Sequence, residues 1–392
     1  MMQLPIQTRS LMLLLFSSLS LAMSANIPIN KRPLRILVIE TYFPPVSSTA
    51  VLNQITGLID EGHTVHIYAK KRGPLHWAHA DIKKYNLMNY AIFNSLPKNL
   101  DSYDIIYCMF GYRGKEFVDA LEHRSLRHAK IVTCFRGADI TKYVKNNSHN
   151  YYRKLFAKGD IFLPVCHYFK KKLKYLGCKT EKITVHPSAI DCTFFPYTSR
   201  MFQPEKPLKL VSVSRLIKKK GLQYSIKAVA QLIEKYPKIQ YTIAGFGPLK
   251  EELEKLIDSL GAQHNIKLIG RISQEEVVTL LNESDIFILP SVTDKSGDQE
   301  GIPNSIKEAM AIGLPAISTD HAGIPELIQD GISGFLVPEH DIQALVEKIE
   351  YLIQHPEQWT DLCREARITI EKKYERAAVN KKLIALFYSL KV

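Results

Sequence analysis

The 392-residue sequence offers little cysteine chemistry. Its six cysteines, Cys108, Cys134, Cys166, Cys178, Cys192 and Cys363, form no CxxC pair, and no Cys/His cluster has structural-zinc spacing. That excludes a disulfide scaffold and a structural zinc site, and leaves the cysteines as small buried hydrophobes in a reducing compartment. No tandem repeat, low-complexity tract or Walker A sequence occurs, so neither a repeat array nor a phosphate-hydrolysing motor is indicated. Gly245 and Gly247 follow a strand pattern, but no third glycine or acidic ribose partner completes a dinucleotide fingerprint, which argues against an NAD enzyme. Beyond the amino terminus no apolar run approaches the ~20 residues of a membrane span. Neither an aromatic–basic platform nor a recognition helix is legible, so nucleic acid is not an expected partner.

What is present is a globular balance. Apolar residues make up 46% and charged residues 23%, which rules out a disordered or collagen-like chain. At roughly 100–200 residues per domain the length predicts two domains. Lys and Arg number 52 against 39 Asp and Glu, a net charge of +13. Such an excess suits an anionic partner: nucleic acid, a phosphorylated small molecule or an anionic membrane surface.

Residues 1–33 read as a leader. Arg9 precedes an apolar run from Leu11 to Met23, broken only by Ser17, Ser18 and Ser20 and followed by Ser24 and Ala25. This is the layout of a secretory signal, and it is short for a membrane span. Three readings stand: a cleaved signal, an uncleaved membrane-associated leader, or an upstream start with Met23 as the first residue.

From Leu34 onward short apolar runs alternate with amphipathic stretches. Strands are expected at Leu34–Ile39, Val65–Ala69, Ile105–Met109, Ile131–Phe135, Ile161–Pro164 and Ile183–Val185. Residues 196–207 are polar, hold three prolines and read as a linker. The alternation restarts with Leu208–Val213, Tyr241–Ala244, Ile266–Ile269, Ile286–Leu289, Ala316–Ser318 and Phe335–Val337. Two βαβ arrays imply an α/β protein of two Rossmann-like, doubly wound domains, at 34–195 and 208–375, with ligands in a cleft between them. Residues 376–392 read as a C-terminal helix.

Three segments carry chemistry. In EGIPNSIKEAMAIGLPAIS, Glu300 and Glu308 stand eight apart. Pro303 suits the first turn of a helix, whose free Asn304 and Ser305 N–H groups would receive an anion. The two carboxylates would accept hydrogen bonds from sugar hydroxyls at either end of such a ligand. By spacing alone Glu308 equally suits a solvated helix face. In VSVSRLIKKKGL, Arg215 and Lys220 flank a turn able to hold a diphosphate, although an R-x4-K pair also suits a solvated basic turn. In IAGFGPLKEEL, Gly245 and Gly247 permit a close backbone approach to a ligand.

With SRLIKKKG, IAGFGP and PSVTDKSGDQEGIPNSIKEAMAIGLPAISTDHAGIPELIQDGISGFLVPEHD in that order, the chain from Leu34 to its end resembles the family 4 nucleotide-sugar glycosyltransferases of the GT-B fold. VLNQITGLIDEG, YRKLFAKGDIFLPV and LGCKTEKITV are most similar to the exopolysaccharide branch, which includes colanic-acid-type transferases. The resemblance implies that Arg215 and Lys220 hold the donor diphosphate, that Glu300 lies near the donor sugar, and that Glu308 binds the ribose. It further implies that Gly301, Ile302, Pro303, Asn304 and Ser305 contact sugar and phosphates. Gly245 and Gly247 would line the donor cleft, and Arg271 would lie near the base. No metal ion or other cofactor is implied, the positive pair acting on the leaving diphosphate instead. The C-terminal helix is implied to cross back to the N-terminal domain.

Two departures from the family pattern stand out. The loop after the first strand carries Ser47, Ser48 and Thr49 where many relatives have a Gly-Gly pair, and these hydroxyls are placed on the acceptor side. In FRGADI, Arg136 stands where many relatives have a histidine. Arginine cannot act as a base at neutral pH. It is therefore expected to pair with Asp139, or to bind an anionic acceptor or the donor phosphate.

The expected function is retaining transfer of a hexose from a nucleotide diphosphate sugar, UDP being the expected nucleotide, to a saccharide or lipid-linked saccharide in cell-surface polysaccharide synthesis. The alternative is a GT-B protein that binds sugar nucleotides without catalysis or with altered specificity. The basic stretch Tyr168–Leu176 adds an expected peripheral contact with an anionic membrane surface, its bland alternative being an ordinary amphipathic core helix. A nucleotide-sugar supply and unpaired cysteines point to the cytoplasm, which favours an uncleaved leader or a start at Met23.

Overall fold

The computed structural model describes residues 32–45, 49–75, 78–122, 126–200 and 205–390. Nearly all of the leader, and Ser47 and Ser48, lie outside the described residues.

Strands β1 (Arg35–Phe43), β2 (Thr64–Arg72), β3 (Ala91–Ile92), β4 (Ile105–Cys108), β5 (Lys130–Phe135) and β6 (Ile161–Pro164) form one sheet in the order β3-β2-β1-β4-β5-β6. Strands β7 (Lys209–Val213), β8 (Gln240–Ala244), β9 (Ile266–Gly270), β10 (Ile286–Leu289), β11 (Ala316–Thr319) and β12 (Phe335–Val337) form the second, in the order β12-β11-β10-β7-β8-β9. Every pairing is parallel. Both sheets have the doubly wound order, which reverses direction between β1 and β4 and again between β7 and β10. The continuous apolar runs arise because helices cover both faces of each sheet: Ile36, Leu37, Val38 and Ile39 are all buried, and they divide between two core clusters.

One strand expectation is corrected and one strand is added. Ile183–Val185 runs beside β6, with Thr184 N–H donating to the Phe162 carbonyl at 3.1 Å and His186 N–H to that of Pro164 at 2.9 Å, but it makes only an isolated bridge. Pro187 follows at once and cannot donate to a ladder. Conversely β3, of two residues, is too short to carry a periodic signal.

The chain crosses between the halves more than once. Within 196–200, Thr198 N–H bonds the Ile312 carbonyl and the Arg200 guanidinium bonds the Leu281, Asn282 and Ser284 carbonyls, tying this stretch to the second sheet's helices. The helix Trp359–Lys373 packs in the second core. After Glu375 the helix Arg376–Ser389 sets Leu383, Ile384 and Phe387 against Val51, Leu52, Ile55 and Leu58 of the first half. Arg376 locks the turn through Asp60 at 2.6 Å and Asp191 at 3.3 Å.

Across the interface, Glu326 accepts the first backbone N–H groups of the helix His167–Tyr175, from His167 at 2.8 Å and Tyr168 at 2.7 Å. Phe169 and Leu173 of that helix, and Leu176 beyond it, are buried. The apolar face is therefore core and cannot enter a bilayer; only the lysine face, with Lys171 and Lys174 exposed, is open to solvent. No described helix is long and apolar enough to cross a membrane. All six cysteines are buried and unpaired.

Candidate active site

The carboxyl ends of both sheets open onto one cleft of about 1270 Å³. Arg215 follows β7, Gly245 follows β8, Arg271 follows β9 and Glu300 lies on the loop after β10. Although separated by up to 85 residues, these line one wall together with Lys220, Ile302, Pro303, Asn304, Ser305 and Glu308. Glu40, Phe110, Arg136 and Tyr143 belong to the opposite wall.

The basic turn is built around a buried carboxylate. Glu300 Oε1 lies 3.1 Å from Lys220 Nζ and 3.5 Å from Lys219 Nζ. Lys219 Nζ also reaches Asp298 Oδ1 at 3.1 Å and the Gln299 carbonyl at 3.2 Å. Burial alone would raise the Glu300 carboxyl, but Lys219, Lys220 and Arg215 outweigh it and hold it at about 2. Burial draws the Lys220 ammonium below the ordinary lysine value, with Glu300 opposing. Arg215 is exposed at the mouth. Lys219 was missed in the sequence because three consecutive lysines look alike until the turn buries two of them.

Glu300 is also fixed through its backbone. Its N–H donates to Nε2 of the fully buried His321 at 3.0 Å, so Nδ1 carries the ring hydrogen, toward Glu339 Oε1 at 2.7 Å. Glu339 accepts the Thr293 N–H at 2.7 Å, which ties both ends of the loop to one carboxylate.

Pro303 is the residue before the helix rather than its first turn; the helix runs Asn304–Ile312. Its opening N–H groups still face the cleft, where its dipole favours an anion. Glu308, about one turn in, is buried rather than solvated, at 9% exposure. Burial pushes its carboxyl up to about 7, with Lys307 opposing, and draws Lys307 down to about 7. Lys307 turns the other way, to the Ser188 carbonyl. Asn304 Nδ2 reaches Thr49 Oγ1 at 3.3 Å, so the one described member of the serine–threonine loop bridges to the second half.

Three glycines have structural duties. A Cβ on Gly245 would lie 1.7 Å from the Ser214 carbonyl oxygen, and one on Gly247 would lie 2.4 Å from that of Leu216, both at φ near +150°. They let the β8 turn lie flat on the Arg215 loop, and Gly247 does not reach the cleft. Gly301 packs under Val165 and the Arg136 carbonyl instead of lining the cleft. Arg271 lies over the Phe246 ring at 4.9 Å.

The expected Arg136–Asp139 side-chain pair is not formed. The Arg136 guanidinium reaches the Met109 carbonyl at 3.0 Å, Ser188 Oγ at 3.3 Å and Gln54 Oε1. The Asp139 carboxylate, 1% exposed, accepts backbone N–H groups of Gly111 at 2.9 Å, Arg136 at 3.0 Å and Gly137 at 2.8 Å. Asp139 thus organises its loop through three backbone N–H groups, at the edge of the cleft that it also lines.

Glu40 was missed by the sequence reading. It ends the apolar run of β1 and is 4% exposed. Burial pushes its carboxyl up to about 7, against the Thr41 N–H at 2.7 Å and the nearby Arg136 and Arg113. With the folded value above the unfolded one, the native state holds more protons between pH ~4.3 and about 7, so stability falls as pH rises through that window. Glu40→Gln removes the penalty. Its thermal midpoint is expected to exceed wild type at pH 8, by an amount equivalent to roughly 3–4 kcal/mol, and to match it at pH ~3.5. Equal midpoints at pH 8 would refute the raised carboxyl.

Comparison with known proteins agrees with this geometry. Residues 199–369 match the family model "Glycosyl transferases group 1" and residues 47–194 match "Glycosyltransferase Family 4". The chain is 34% identical to WcaL of Salmonella typhimurium, named for colanic acid biosynthesis, over 89% of this chain and 98% of that one. It is 33% identical to the amylovoran biosynthesis glycosyltransferase AmsK of Erwinia amylovora, with the same coverage. Among solved structures, Anabaena HepE in complex with UDP superposes with a TM-score of 0.74 at 17% identity, covering 91% of this chain and 100% of that one. A glycosyltransferase from Rickettsia africae superposes at 0.72 and 20% identity, covering 92% and 99%.

Proposed function

The chain belongs to the group 1 and family 4 glycosyltransferases of the GT-B fold, and from that premise we propose that it transfers a hexose from a nucleotide diphosphate sugar to a saccharide or lipid-linked saccharide in exopolysaccharide synthesis. The observation that carries this reading is the convergence of Arg215, Lys220, Glu300, Glu308 and the Asn304 helix terminus on one cleft. A diphosphate seated there meets two positive side chains and a helix dipole. A sugar and a ribose at its two ends meet Glu300 and Glu308 as hydroxyl acceptors. UDP in the HepE complex supports uridine as the base.

In the reaction the bond between the sugar's anomeric carbon and the diphosphate oxygen breaks, and one to the acceptor oxygen forms on the same face. The acceptor's proton passes to the departing phosphate, whose new charge Arg215 and Lys220 stabilise. Retention of configuration is the expected outcome, because the acceptor oxygen attacks the face from which the diphosphate departs. No metal ion or other cofactor takes part in it. The unpaired cysteines and a nucleotide-sugar donor fit a cytoplasmic setting. Any contact with an anionic membrane surface would be electrostatic, through the lysine face of the His167–Tyr175 helix.

A panel of UDP-, GDP-, ADP- and TDP-sugars read by thermal shift tests the donor assignment. At least one UDP-sugar is expected to raise the melting temperature by mass action, and Glu308→Ala and Arg215→Ala to lose most of that rise. No response to any nucleotide sugar, or equal binding by both variants, sinks the assignment.

A further inference from the structure

The wall opposite the donor residues carries a built crevice of its own. β1 pairs with β4 only as far as Ile39 opposite Cys108, so Glu40 is the first β1 residue past that pairing, where the strand order reverses. Such a divergence is where doubly wound sheets hold ligands. Glu40 lines the cleft there although 96% of its surface is covered. Oε2 accepts the Thr41 N–H at 2.7 Å, and no described residue bonds Oε1. Beside it three rings form a stack: Phe110 on Tyr112 at 5.3 Å and 8° between planes, then Tyr112 on Tyr143 at 4.9 Å and 23°. Tyr143 ends the stack and is 40% exposed. Thr41 Oγ1 lies 3.4 Å from the Tyr112 hydroxyl and accepts from Arg113 Nε at 2.8 Å, which holds the stack against Glu40.

The Glu40 carboxyl, with one free oxygen, hydrogen-bonds a hydroxyl in either protonation state, and Arg113 and Arg136 lie beside it. An aromatic face is negative and apolar, and attracts weakly positive C–H groups. A pyranose has both features, hydroxyl donors at its edge and a C–H face, whereas a phosphate has neither.

We propose that the crevice formed by Glu40 and the Phe110–Tyr112–Tyr143 stack seats the acceptor sugar, with Glu40 Oε1 accepting from a ring hydroxyl and Tyr143 covering the sugar's C–H face. The proposal rests on the transferase reading above and names the acceptor side of the same cleft. It identifies the recognised unit as a pyranose, whatever anchor that sugar carries.

Saturation-transfer NMR on the full chain with UDP, using methyl glycosides of glucose, galactose and fucose as probes, tests it. At least one glycoside is expected to show transfer strongest to the C–H protons of one face. Glu40→Gln and Tyr143→Ala are each expected to weaken that binding about ten-fold or more, the carboxyl's hydrogen bond or a ring contact being lost. Both variants should keep the wild-type thermal shift with UDP, which shows that they are folded and hold donor nucleotide. Unchanged glycoside binding in both variants, or no binding by the wild type, overturns the proposal. A wild type that binds a glycoside through Glu40 and Tyr143 but responds to no nucleotide or nucleotide sugar instead overturns the transferase reading and leaves the sugar seat in place.

Discussion

Arg215→Ala is expected to lower kcat for sugar transfer by about 10²–10³-fold while leaving the fold intact, because the proposed reaction uses its charge to stabilise the departing diphosphate. Arg215 is exposed and Lys219 and Lys220 remain beside Glu300, so the melting temperature should stay close to wild type. Lys220→Ala is expected to cost as much in turnover, and stability as well. Its Nζ lies 3.1 Å from Glu300 Oε1 inside the protein, and removing it leaves a buried carboxylate with Lys219 as its main partner. Breaking a buried ion pair from one side costs roughly 3–5 kcal/mol, an upper limit here because Lys219 remains. The double variant Lys220→Ala/Glu300→Ala should regain part of that stability and none of the activity. Steady-state kinetics beside thermal melts separate the two effects. Near-normal turnover by Arg215→Ala would remove the diphosphate role from this turn.

Asp139→Ala carries the second large effect, in the opposite currency. Its carboxylate satisfies three buried N–H groups, at Gly111, Arg136 and Gly137, where β5 ends and the helix Gly111–Ala120 begins. An unsatisfied buried donor costs about 1–3 kcal/mol, so the expected loss is about 3–5 kcal/mol after relaxation and water entry. A fall of roughly 6–20 °C in melting temperature follows for a domain of this size. Asp139→Asn, which keeps one acceptor oxygen, should lose less. The surviving folded fraction of Asp139→Ala should still bind donor nucleotide, because the diphosphate residues lie on the other wall. A variant that melts like wild type yet has no activity would make Asp139 a reacting group and refute the organiser role.

The two assignments differ in how far they could be read along the chain. Arg215, Lys220, Glu300 and Glu308 sit at fixed short spacings within turn and helix patterns, so their segment is legible, and the ordered motifs identify the family. The identity of Lys219 as a second partner of Glu300 is not legible, because the contact spans 81 positions and depends on which lysines the 3-10 turn Lys218–Lys220 buries. Arg136 shows the same limit in reverse. Its sequence neighbour Asp139 is the obvious partner, yet the loop wraps that carboxylate around backbone N–H groups and sends the guanidinium to Gln54, 82 residues earlier. Glu40 gave a faint signal, an acid closing an apolar strand, which means nothing until the sheet order is known.

Local patterning by itself determined the two parallel sheets, most of their strands, and the donor segment from Pro290 to Pro338. It could do so because burial on both faces demands continuous apolar runs, and helix starts and glycine turns are chosen by neighbours. Only the tertiary structure decided which charged groups face one another across the cleft, that Glu308 is buried, that the Asp139 carboxylate gathers three backbone N–H groups, and that Glu40 opens beside an aromatic stack. Those outcomes depend on where β1 and β4 part and how two halves meet, and contacts between residues so far apart leave no periodic trace in the chain.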